Sequence, residues 1–132
     1  MRKAIAIVVA AGLLLSGWLV YATYEGRLAE HRAAQAKRDA AYQEQLDRFR
    51  HEAPLGMHRA EVRSYLDSKK VSYIQMNSSL AVKIGEDPAD EWFCDRWYVY
   101  VEFRFSHLNG QTEPLPLDNL DGISIQRIGS CL

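Results

Sequence analysis

The residues of this chain that could do chemistry are two cysteines, four histidines and two groups of carboxylates, and their spacing limits what that chemistry is. Cys94 and Cys131 have no second ligand at the close spacing that a zinc site uses. They read either as a candidate disulfide, which needs an oxidising compartment, or as two small buried thiols. His31, His51, His58 and His107 are scattered, with no HxxxH or HxH pair, and each reads as a solvent-exposed side chain. Glu86, Asp87, Asp90 and Glu91, and separately Asp118 with Asp121-Gly122, could attract calcium. Neither group keeps the alternating ligand register of an EF-hand loop, so both read as solvated loops. No GxSxG, Walker A, GxGxxG or CxxC motif occurs, which removes the common hydrolase, nucleotide and thiol-redox signatures. The expectation is a protein that is not an enzyme, with no catalytic, cofactor-binding or metal-binding residue and no evident small-molecule substrate.

What remains is a surface. In the stretch Arg96 to Phe105 the side chains alternate with period two, the mark of a half-buried strand. Trp97, Val99, Val101, Phe103 and Phe105 make one face, which reads as core. Arg96, Tyr98, Tyr100, Glu102 and Arg104 make the other, readable as an ordinary solvent face or as a partner-binding surface. Tyrosine is simply a good strand residue, which favours the ordinary reading. A net charge of -1 and a pI near 6.4 give no basic field to attract nucleic acid.

The elements that must position this surface begin with Ala4–Tyr24, a run without charge or proline. At about 1.5 Å per residue it is long enough to cross a hydrocarbon core of roughly 30 Å as a helix. Arg2 and Lys3 before it, and Trp18, Tyr21 and Tyr24 at its end, suit an uncleaved signal anchor with an interfacial aromatic belt. Cleavage near Val20-Tyr21-Ala22 is the alternative and would leave a secreted or periplasmic protein. Arg27, Arg32, Lys37 and Arg38 on the far side make the charge count ambiguous. The basic start ahead of an apolar run, with the cysteine pair, favours a single-pass inner-membrane protein whose C-terminal domain lies outside.

Residues 1–24 thus read as anchor, 25–53 as a helical stalk and 54–132 as a small α+β domain. The stalk is rich in strong helix formers and extends as a rod of roughly 40 Å, with Glu44/Arg48 and Asp47/His51 as i,i+4 pairs. Its one apolar seam, Tyr42, Leu46, Phe49 and Ala53, is too short for a coiled coil and is expected to dock on the domain that follows. Beyond Pro54 and Gly56, Met57–Asp67 reads as a short amphipathic helix burying Val62, Tyr65 and Leu66. Val71–Met76 and Leu80–Ile84 flank Asn77-Ser78-Ser79 as a hairpin. Gly85–Glu91 reads as an acidic loop, and Gly122–Ile128 as the last strand. The sum is a short helix packed on a three- or four-stranded antiparallel sheet. If the last two strands are antiparallel neighbours, Cys94 and Cys131 share one end of the sheet, and the sequence leaves that open.

The stretch Gly56-Met57-His58-Arg59-Ala60-Glu61-Val62-Arg63-Ser64-Tyr65-Leu66, followed by a strand meander, resembles the SmpA/OmlA family of outer-membrane-assembly lipoproteins and the related β-lactamase-inhibitor-like fold. The chain departs from that pattern at Asp67-Ser68-Lys69, where the family carries Gly-x-Pro, and in lacking the lipid-attachment cysteine. The resemblance implies helices on one face of an antiparallel sheet and action through binding other proteins. Three functions follow, in order of preference. The first is a membrane-tethered interaction module that binds another envelope protein. The second is an extracytoplasmic inhibitor or immunity protein that plugs a basic cleft with Glu86–Glu91. The third is an enzyme whose polar cluster only a structure could reveal.

Overall fold

The computed structural model describes residues 2–88, 94–107 and 113–131, with the side chains of 2–11, 13, 94 and 131 outside that description. The chain is α+β: a long helix, a short helix and a four-stranded antiparallel sheet. Helix α1 spans Arg2–Glu52 and α2 spans Arg59–Ser68. Strands β1 (Tyr73–Gln75), β2 (Ser79–Pro88), β3 (Cys94–Ser106) and β4 (Asn119–Cys131) lie in the order β1-β2-β3-β4, every neighbour antiparallel. Residues 1–40 form one compact unit and residues 41–132 another. Among the described residues no helix is long and apolar enough to cross a membrane. The run expected to do so lies, over its first half, outside the residues whose side chains are described.

Within the second unit the seam of α1 docks as its spacing requires. Tyr42, Leu46 and Ala53 are buried, and Phe49 packs edge-on against Phe103, ring centroids 5.4 Å apart. Gly85 fixes where the helix sits, because a Cβ there would come 2.5 Å from the Tyr42 ring. Tyr42 also donates to an Asp87 carboxylate oxygen at 3.0 Å. The i,i+4 pair Glu44/Arg48 forms at 3.8 Å, whereas Asp47 pairs with Arg50 rather than with His51.

Helix α2 covers the same face of the sheet with Val62 and Leu66, both fully buried. Its amino end is set by the His58 amide, which donates to the Glu61 carboxylate at 2.8 Å, a reciprocal-cap contact that satisfies one exposed donor. Its carboxyl end closes as a Schellman motif: Lys70 takes the left-handed conformation (φ 57°), Val71 N–H donates to Leu66 O and Lys70 N–H to Asp67 O. Val71, just past the cap, packs into the core beside Leu66. Lys69 reaches back to Glu52 at 2.8 Å, tying α2 to the end of α1.

Beneath the helices lie Leu80, Val82, Val99, Val101, Phe103, Phe105, Leu120 and Ile123, the face expected of the long strand. Trp97, expected with them, is half-buried, because the apolar cover ends before that end of the strand is reached. Two further expectations change. The acidic loop is not a loop over its first half, since β2 continues through Pro88 and pairs Glu86 with Tyr98 and Asp87 with Trp97. A bulge between Lys83 and Gly85 absorbs one residue, which keeps Glu86 on the same face as Lys83. The last strand is also longer than expected, Asn119–Cys131 rather than Gly122–Ile128.

Candidate functional site

With both helices on one face, the other face of the sheet is open among the described residues. It carries the five residues singled out from the alternation of β3, and strand register sets their neighbours. Glu102 lies between Ala81 and Ser124, Tyr100 between Lys83 and Gln126, and Tyr98 between Glu86 and Ile128. Tyr98, Tyr100 and Glu102 are half-buried, while Arg96 and Arg104 are exposed.

The charges on this face are largely spent on one another. Lys83 binds Glu86, which also accepts from Arg96 at 3.2 Å. The hydrogen bond between them lowers the Glu86 pKa and raises that of Lys83. The Lys83 ammonium sits 4.4 Å above the Tyr98 ring, within cation–π range. Arg104 pairs with Asp121 at 3.5 Å.

Sequence reasoning missed the apolar half of the surface. Ile74, Met76 and Ile128 are 53%, 41% and 56% exposed. Met76, Ala81, Tyr100, Glu102, Gln126 and Ile128 line a depression of about 300 Å³. Ala81, only 5% exposed, is among its most enclosed residues. The signal was present in Ile74 following Tyr73, which packs on the core, but it means nothing until strand order brings β1 and β4 to either side of β2 and β3.

Met76 is held in place by a residue the sequence did not single out. Arg59, at the start of α2, is 2% exposed. Its guanidinium donates to the carbonyls of Asn77 and Met76, both at 2.9 Å, and of Ser79 at 3.3 Å, and lies 4.8 Å over the Phe105 ring. Burial pulls its pKa down, and the nearby Asp118 carboxylate opposes that shift.

The remaining candidates are distributed as follows. Register places Cys94 directly opposite Cys131 on neighbouring antiparallel strands, the adjacency the sequence had left open. Glu86 and Asp87 are ion-paired strand residues, Asp87 with Arg127 at 3.2 Å; Asp90 and Glu91 lie outside the described residues. Asp118 is not a solvated loop residue: it is fully buried, accepts from Leu115 N–H at 2.8 Å and stands 3.2 Å from His107 Nδ1. His107 is therefore half-buried and partnered, whereas His31, His51 and His58 are exposed. No group of metal-ligating side chains occurs among the described residues. No known protein family, curated protein or solved structure matches the chain.

Proposed function

We propose that this protein is a membrane-tethered interaction module of the bacterial cell envelope, anchored through residues 4–24, whose open sheet face binds another envelope protein outside the inner membrane. The observation that carries the reading is that face: two tyrosines on the central strand flanked by Ile74, Met76 and Ile128, large apolar side chains left in water where an ordinary solvent face would carry polar ones. The anchor is supported by Leu14, Leu15, Trp18, Leu19, Val20 and Tyr21, which are exposed around the whole circumference of α1. A helix that is apolar all round needs lipid or protein to cover it. If the segment is cleaved, the same module acts as a secreted or periplasmic protein. A common fold with the SmpA/OmlA proteins belongs to the same proposal.

The test is a photo-crosslinking residue at Gln126 of the full chain in cells. A discrete protein adduct is expected, and Tyr98→Ser with Tyr100→Ser should remove it while leaving the thermal transition nearly unchanged. An adduct that survives the double substitution overturns the reading. So does a loss matched by an equal loss of folding.

A further inference from the structure

Among the charged residues of the open face, Glu102 stands apart. Lys83, Glu86 and Arg96 satisfy one another, and Arg104 is taken by Asp121. The Glu102 carboxylate has neither an ion pair nor a hydrogen bond among the described residues. It is nonetheless half-buried in the middle of the sheet, between Ala81 and Ser124, and lines the depression with Met76, Tyr100, Gln126 and Ile128. Resting on the interaction reading above, we propose that this depression receives a lysine or arginine side chain of the partner protein. Its aliphatic stem lies along Met76 and Ile128, and its cation sits between the Glu102 carboxylate and the Tyr100 ring.

Charge selects this occupant. A partner that covered the depression with apolar groups would bury Glu102 unpaired, which costs more than the apolar contact returns. An acidic segment, or a phosphate, would add repulsion to that cost. A long cationic side chain satisfies both halves of the site, because its stem is apolar and its head is not. One row along the same sheet, the face already makes such a contact with its own chain, Lys83 over Tyr98 beside Glu86.

The test uses the ¹⁵N-labelled full chain in detergent micelles. The probes are blocked seven-residue Ser/Leu peptides with lysine, arginine, norleucine or glutamate at the centre. The lysine and arginine peptides should give saturable amide shifts at Tyr100, Gln126 and Ile128, with binding about tenfold tighter than the norleucine peptide, the scale of one charge-assisted contact. Glu102→Gln should erase that preference without moving the thermal transition, since the side chain is on the open face. Equal binding of lysine and norleucine peptides, a preference that survives Glu102→Gln, or no shifts at all overturns the proposal. Should the crosslinked adduct at Gln126 form while the lysine preference is absent, the surface binds a protein by other means and only this inference falls. If the adduct is absent as well, the interaction reading falls with it.

Discussion

Replacing Arg59 tests whether the turn that presents Met76 is held by the core or only by itself. In Arg59→Met the side chain keeps its length and its apolar stem but loses three donors to the carbonyls of Met76, Asn77 and Ser79, together with the stacking on Phe105. A net contribution of about 1.5–3 kcal/mol attaches to a hydrogen bond from a charged donor, so two bonds at 2.9 Å and a weaker one at 3.3 Å set a gross loss near 6 kcal/mol. Two effects reduce it. Met76 and Asn77 are exposed, so water replaces part of what their carbonyls lose, and removing the guanidinium relieves the desolvation that lowers its pKa. The expected net loss is about 2–4 kcal/mol. For a domain of this size that corresponds to a Tm lower by about 10–25 °C, read by calorimetry on the full chain. Arg59→Lys should fall between, because an ammonium lacks the planar fork that meets adjacent carbonyls. Amide exchange should accelerate first at Met76, Asn77 and Ser79. A loss under about 0.5 kcal/mol in Arg59→Met, or wild-type stability in Arg59→Lys, would refute the assignment of Arg59 as the staple of this turn.

Two further outcomes follow from the same geometry. Cys94 and Cys131 are expected to pair. A membrane-impermeant thiol reagent applied to intact cells should label them only after reduction, and replacing both with serine should cost up to about 4 kcal/mol on the chain-entropy account of a loop of this length; labelling without reduction would refute the bond. The Tyr65 hydroxyl donates to Glu52 at 2.9 Å, and burial with that bond raises its pKa from 10.0 to about 12. The folded state therefore holds this proton more tightly than the unfolded one. The contribution is complete below pH 10 and lost as pH rises toward 12, so the urea midpoint should decline across that window and Tyr65→Phe should flatten the decline.

Periodicity made half of this architecture legible. The four-three-four spacing of Tyr42, Leu46, Phe49 and Ala53, and the alternation from Arg96 to Phe105, each name a buried face directly, because a helix or strand that buries one side must repeat its apolar residues at its own period. What escaped is what depends on contacts distant in sequence. Glu86 and Asp87 look like a solvated acidic turn until a bulge two residues earlier lets β2 run on beside β3. Asp118 looks like a loop carboxylate until the Leu115 amide and His107 close around it. Arg59 reads as one more charge on a polar helix face, and nothing local reveals that three carbonyls beyond α2 converge on it. Buried charges are rare enough that composition predicts them outside, and only the tertiary fold supplies their partners.

The same distinction locates the functional surface. The core occupies most of the helix-covered face: Tyr42 lies against Gly85, Phe49 against Phe103, and Arg59 against Phe105, while a cavity of about 370 Å³ remains among Arg50, Ala53, Leu55, Gly122 and Ile123. An antiparallel sheet with one face closed can leave the other to water, and β3 alone, with its tyrosines and alternating charge, would suit that. The outer strands do not, since they place Ile74 and Met76 on one side and Ile128 on the other. Pairing then removes Lys83, Glu86, Arg96 and Arg104 from consideration as recognition charges. Among the described residues Glu102 is left as the one carboxylate lining the depression, and neutralising it should therefore change which partner binds without changing how the domain folds.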